Sequence, residues 1–126
     1  MIQQQTILKV FDNSGAKWVK CIKVPVGFKK KYATIGDIII VSIQQLRNKS
    51  KKTSKVKKKE IYEALIIKTK MKFLKKNGYK KNFKENGVAL LNKQGNPIGT
   101  RIIGAISKEL IKKKLQKFTS ISKGLI

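Results

Sequence analysis

Ile38-Ile39-Ile40-Val41-Ser42-Ile43-Gln44-Gln45-Leu46 alternates. Ile39, Val41 and Ile43 share one face, and Ser42 and Gln44 share the other, the period of two of a half-buried strand. Working outward, similar short runs recur between turn residues. Thr6-Ile7-Leu8-Lys9-Val10 ends at Asp12-Asn13-Ser14-Gly15, and a strand from Trp18 to Val24 is halted by Pro25 and Gly27. Downstream, strands are predicted from Ile61 to about Met71, over Val88-Ala89-Leu90-Leu91, and as a last extended piece from Ile98 to Ile103. Asn77-Gly78 predicts a tight turn between Phe73 and Tyr79, since both central positions of such a turn need positive φ. That gives a hairpin over 72–83 flanked by Lys75, Lys76, Lys80 and Lys81, a basic ribbon. Only 106–118 reads as helix, with Ile106, Leu110, Ile111, Leu115 and Phe118 on one face, Ser107 as N-cap and Glu109 in the first turn. Five or six short strands between such turns point to a small closed barrel, because closure removes exposed edges. The chain is predicted to be mainly β and a single domain over 1–126.

The charge says what such a barrel meets. There are 31 Lys and Arg against 6 Asp and Glu, a net +25 on 126 residues, and all but Arg47 and Arg101 of the bases are Lys. Self-repulsion of this size is tolerable when a polyanion neutralises it, and nucleic-acid phosphate is the commonest. Lys suits phosphate as a point charge, whereas Arg carries the planar fork that reads guanine. Backbone and shape recognition are therefore expected, with little base reading. The stretch from Arg47 to Lys59 holds eight basic residues in 13 and one apolar residue, Val56. It is predicted to be a mobile loop that orders on the polyanion. Phe28 and Tyr32 beside Lys29, Lys30 and Lys31 are candidates for stacking on bases, while Trp18 reads as core.

Catalysis finds little support. Histidine, the commonest general base, is absent, and the single cysteine, Cys21, reads as a buried structural thiol. Glu60 and Glu63 read as offsets for neighbouring lysines. Asp12 and Asp37 read as turn residues that bind local backbone. Gly95, Gly99 and Gly104 read as turn and close-approach glycines, with no phosphate loop leading into a helix. No cofactor or metal is called for, and no apolar run approaches the ~20 residues of a membrane span.

The motifs together resemble the large-subunit ribosomal protein L-fourteen family over essentially the whole chain. The resemblance rests on Met1-Ile2-Gln3-Gln4-Gln5-Thr6, Asp12-Asn13-Ser14-Gly15-Ala16-Lys17, Cys21-Ile22-Lys23-Val24 and Tyr32-Ala33-Thr34-Ile35-Gly36-Asp37-Ile38-Ile39. It continues through Ala64-Leu65-Ile66-Ile67, Asn77-Gly78, Phe83, Asn86, Ala89-Leu90-Leu91, Gly95-Asn96-Pro97-Ile98-Gly99-Thr100-Arg101-Ile102 and Lys108-Glu109-Leu110. The chain departs from the family at Lys84-Glu85, where an acidic turn is usual, and at Lys59, where a glycine is usual. The tail Ser120-Ile121-Ser122-Lys123-Gly124-Leu125-Ile126 lacks the usual Leu-Ala-Pro ending.

The resemblance implies a closed five-stranded β-barrel with a β-ribbon hairpin and short C-terminal helices. It implies binding to large-subunit rRNA on the subunit interface, beside ribosomal protein L-nineteen and at bridges to small-subunit rRNA. It also implies a patch for ribosome-silencing factors, matched here by Thr100, Arg101 and Lys117. Arg101 reads equally as a structural partner of a carboxylate or carbonyl. The residues expected to contact rRNA are Asn13, Lys17, Lys29, Lys30, Lys31, Tyr32, Arg47, Lys49, Lys51, Lys52, Lys55, Lys57, Lys58, Lys75, Lys76 and Lys80. A DNA-compacting protein of the nucleoid would share the charge, and is the rival reading. Lys, Asn and Ile come from A/T-rich codons, which points to an organelle gene. The first ten residues carry only Lys9 and lack an Arg-rich presequence. Synthesis inside a mitochondrion is the expectation, with a plastid or a bacterial cytoplasm as the alternative.

Overall fold

The β-branched runs become strands. In the computed structural model the described residues are 2–25, 32–47, 55–70, 73–74, 80–81, 83–106, 110 and 116–125. Among these, β1 is Ile7–Val10, β2 Ala16–Lys23, β3 Ile38–Leu46, β4 Ile61–Lys68, β5 Phe73–Leu74, β6 Lys80–Lys81, β7 Gly87–Leu91, β8 Ile102–Ile106 and β9 Ser122–Leu125. A short helix covers Gln116–Ser120. Strands β1-β2-β3-β4-β7 form a closed barrel, as expected. Neighbours pair antiparallel except at the seam, where β1 and β7 run parallel through Lys9↔Gly87 and Val10↔Val88. β5 pairs with β6, and β8 pairs with β9 in parallel.

The alternation of β3 holds: Ile39, Val41 and Ile43 are buried, whereas Gln44 is exposed. Leu8, Val10 and Val19 join the same core. β4 and β7 are different, because Ala64 to Ile67 and Gly87 to Leu91 are buried at every position. Ile102, Ile106, Leu110 and Phe118 belong to the same buried cluster and add a second apolar layer from the C-terminal part. Each fully buried Ile or Leu contributes roughly 1.5–3 kcal/mol before entropy. Asp12 is buried too, and its carboxylate is satisfied. Oδ1 accepts from Ser14 N (3.2 Å) and Ser14 Oγ (2.6 Å), and Oδ2 from Leu90 N (2.9 Å), tying the β1–β2 turn to β7.

Several expectations are corrected. Ile106 ends a strand rather than starting a helix, whereas Leu110 is helical and the helix at Gln116–Ser120 runs past the predicted end at 118. Ser107, Glu109, Ile111 and Leu115 lie outside them. The extended piece placed at Ile98 to Ile103 begins as a strand only at Ile102. Pro97 makes an isolated bridge with Leu91, and Gly99 sits against Asn13, so the chain bends before pairing can resume. β4 stops at Lys68, short of Met71, and Asn86 Oδ1 takes the amide of Lys70 (2.8 Å).

In the hairpin Leu74 pairs with Lys80, whereas a two-residue Asn77-Gly78 turn pairs Leu74 with Lys81. Asn77 and Gly78 themselves lie outside the described residues. Trp18 is half-buried and outside the core cluster. Irregular register on both sides of it in the β2–β3 ladder, as at a bulge, turns Lys17 and Trp18 away between buried Ala16 and Val19.

The expectation of a loop over 47–59 is revised in its last part: residues 55–59 are docked on the barrel, while 48–54 lie outside the described residues. Val56 is 1% exposed within the core. Lys55 N donates to Ser14 O (3.0 Å) and Lys59 N to Ile43 O (2.8 Å). One valine suffices because backbone bonds fix the chain on both sides of it. Lys59 adopts φ 67°, the left-handed conformation that glycine takes without steric cost.

Candidate nucleic-acid interface

Two constellations emerge from the expected contact residues. The first is a cleft beside the barrel seam. Period two along β1 puts Lys9 and Phe11 on the same side. Phe11 N donates to Val88 O (3.1 Å) and Ile103 N donates to Phe11 O (2.7 Å), so the phenylalanine is fixed between β7 and β8. Arg47 closes one side: its N donates to Gly15 O (2.9 Å) and its Nη2 to Val10 O (3.0 Å). Lys17, turned out by the β2 irregularity, is exposed. Lys9, Phe11, Lys17, Arg47 and Ile103 line a cleft of about 370 Å³.

The cleft is strongly positive. Lys68 Nζ lies 3.9 Å from the centre of the Phe11 ring, and Lys9 Nζ lies 5.4 Å from it. Burial pushes the Lys68 ammonium below its ordinary pKa, Glu85 opposes that shift, and Lys9 adds to it. Desolvation therefore outweighs the neighbouring carboxylate. Glu85 Oε2 pairs with Lys9 Nζ at 3.4 Å, a surface pair worth about 0–1 kcal/mol. It is the one ion pair among the described residues.

The second constellation is a clamped loop. Asn92 Oδ1 accepts from Gln94 N (3.0 Å) and Asn96 N (2.9 Å), and Gly95 turns the chain at φ 82°. Asn13 then reaches across from the β1–β2 turn. Its Oδ1 accepts from Thr100 N (2.7 Å) and Arg101 N (3.3 Å), and its Nδ2 donates to Thr100 Oγ1 (2.6 Å). Lys55 Nζ donates to Ile98 O (3.4 Å), and Lys117 Nζ donates to Asn96 Oδ1. Thr100, Arg101 and Lys117 are all exposed.

The expected contact residues thus divide. Lys17 and Arg47 meet in the cleft. Asn13 and Lys55 hold the clamped loop by hydrogen bonds. Lys57 and Lys58 are exposed on the docked segment, and Tyr32 is exposed as well. Lys80 lies in β6. Lys29, Lys30, Lys31, Lys49, Lys51, Lys52, Lys75 and Lys76 lie outside the described residues. Lys9, Phe11 and Ile103 were not foreseen, although the i, i+2 spacing of Lys9 and Phe11 was a readable signal.

The remaining polar groups are structural. Asp37 Oδ2 accepts from Thr34 N (2.8 Å) and Thr34 Oγ1 (3.2 Å), as its turn position suggested. Glu60 accepts from the Tyr62 hydroxyl. Burial first, and Glu60 second, push the Tyr62 phenol up to about 12. Cys21 is 1% exposed, and burial pushes its thiol up, the opposite of an activated nucleophile. No three carboxylate or thiol groups among the described residues are placed to hold a metal ion, and no helix there is long and apolar enough to cross a membrane.

A basic five-stranded barrel with outward lysines therefore meets the comparison with known families on structural grounds. The family model described as "Ribosomal protein L14p/L23e" matches residues 1–126, the whole chain, so the protein belongs to that family: a structural constituent of the large ribosomal subunit that binds its rRNA, and not an enzyme.

Proposed function

We propose that this chain, acting as one domain over 1–126, is a scaffold on the intersubunit face of the large subunit. One observation carries the reading. Against 31 basic side chains stand 6 carboxylates, and among the described residues Asp12 is consumed inside the fold and Glu60 by a phenol, while Glu85 forms the one ion pair. The cations are left for an external polyanion. Lys29 to Lys31, the 49–59 cluster and the 68–84 region neutralise phosphates from separate rRNA segments, and counterion release offsets the entropy of ordering loops. Lys17 and Arg47 add contacts near the barrel seam, and Tyr32 adds one beside Lys29 to Lys31. Thr100, Arg101 and Lys117 form the face that meets small-subunit rRNA at a bridge and accepts a silencing factor, with ribosomal protein L-nineteen alongside. The codon chemistry supports a mitochondrial ribosome.

Sedimentation of lysate at high and low magnesium, with the protein followed by mass spectrometry, tests the assignment. It follows the large subunit in both conditions. Migration with DNA, or free at the top, overturns the reading. Recovery from mitochondrial ribosomes checks the compartment, and recovery from plastid or bacterial ribosomes overturns that part. With roughly 5–10 phosphates engaged, log affinity for rRNA falls against log salt with a slope on the order of −4 to −8. Neutralising the 49–59 cluster impairs subunit assembly, whereas Lys51→Ala alone changes little. Normal subunit yield after the cluster change removes that loop from the mechanism.

A further inference from the structure

We propose that the cleft at the barrel seam holds one unpaired nucleotide of an RNA strand, its phosphate against Lys17 and Arg47 and its base against Ile103 and Phe11. The inference rests on the rRNA-binding reading and adds a distinct subsite to it.

Four observations converge. First, the cleft joins cations to an apolar wall. Lys9, Lys17 and Arg47 stand with Phe11 and with Ile103, which is 44% exposed although it is a large aliphatic side chain on a strand. Ile7 and Ile61 are more exposed than Ile103, so exposure alone does not mark a site; here the isoleucine stands beside Phe11 and three cations, an apolar wall that can cover a base face. Second, the size fits. About 370 Å³ lies at the small end of the range of ligand clefts, roughly 300–1,000 Å³.

Third, the cleft is preorganised. Arg47 is held by Val10 O at 3.0 Å, and the main chain of Ile103 is bonded to Phe11 O at 2.7 Å, so neither wall is ordered anew on binding. A guanidinium carries five N–H donors, which leaves others for a phosphate after one is used on Val10. Fourth, the local charge is compensated only in part. Glu85 engages Lys9, while Lys68, beside the Phe11 ring, is partly desolvated. An anion docked nearby favours the charged form of Lys68.

Duplex RNA does not satisfy this combination. In an A-form helix the base faces are stacked inside and the narrow major groove is closed to side chains. Unpaired segments splay bases outward, which is the form an apolar wall selects. A free mononucleotide offers the same chemistry without neighbouring phosphates.

The full chain is titrated with a fluorescent adenosine pentanucleotide, with an RNA hairpin duplex and with free AMP. Lys17→Gln weakens the pentanucleotide about fivefold, whereas Lys93→Gln, an equal charge change on the exposed 92–96 turn, weakens it less than about twofold. Ile103→Ser leaves the charge alone and weakens the pentanucleotide about threefold without changing the hairpin. AMP binds at least about tenfold more weakly than the strand.

If Lys17→Gln matches Lys93→Gln, or Ile103→Ser leaves the strand unchanged while both RNAs still bind with steep salt dependence, the cleft is overturned and the rRNA reading stands. If AMP binds as tightly as the strand, the RNA assignment of the cleft is overturned. If neither RNA binds with salt dependence, the parent reading falls as well.

Discussion

The seam cleft and the clamped loop both carry exposed polar groups, but those groups are used differently. In the loop, Asn13, Asn92 and Asn96 spend their side-chain amides on the chain itself, and Lys117 is drawn into the same network. In the cleft, Lys17 makes no such tie among the described residues, and Arg47 spends one donor on a backbone carbonyl. Hydrogen bonds give the loop its shape. The cleft takes its shape from strands that are already paired, so its cations stay available for a ligand. Substitutions in the loop therefore register first as stability, and substitutions in the cleft as affinity.

The contrast breaks most visibly at Gly99. An added Cβ lies 2.7 Å from Asn13 Oδ1 and 3.0 Å from Asp12 Cβ, so Gly99→Ala forces the Asn13 clamp apart. A loss of about 2–3 kcal/mol in urea unfolding is expected from such overpacking. A loss below about 0.5 kcal/mol, the size of an ordinary surface change, dismisses the clamp as a source of stability.

Asn13→Ala is the next largest. It removes the acceptor for two amides and the donor to Thr100, but those groups reach water, so about 1–2 kcal/mol is expected. An unchanged unfolding midpoint returns Asn13 to the role of a direct RNA contact. Lys59→Gly works in the other direction. At φ 67° a lysine bears a left-handed penalty, so glycine stabilises the chain by up to about 1 kcal/mol after its greater unfolded-state entropy is subtracted. A destabilised glycine variant contradicts the strain at this position.

Lys17→Gln is the smallest in stability, within about 0.5 kcal/mol, because the residue is exposed and away from the core. The same variant carries the affinity loss stated for the cleft. A large stability loss here erases the distinction between the two regions.

Much of this was legible beforehand, and particular residues show where legibility stops. Ile39, Val41 and Ile43 declared their buried face, because strand alternation depends only on residues two apart. Gly95 and Gly99 separated into a turn and a close approach, both anticipated from composition. The helical periodicity at Ile106 misled, since it is buried as expected but inside β8. Burial spacing does not distinguish the end of a buried strand from the start of a helix over one turn. Val56 was discounted as a lone apolar residue in a lysine run, and nothing local marks the core gap it fills.

The barrel, its short strands and its need for a polyanion were settled along the chain by period, turn residues and the 31-to-6 imbalance of charge. These are properties of near neighbours and of sums, which order along the chain fully specifies. Which side chains work together was settled only by closure. Asn13 meets Thr100 across 87 residues, and Arg47 meets Val10 across 37. The first pair follows from the parallel pairing of β1 with β7 at the seam and the second from the return of β3 beside β2 at Ala16↔Leu46, and no local periodicity encodes either meeting.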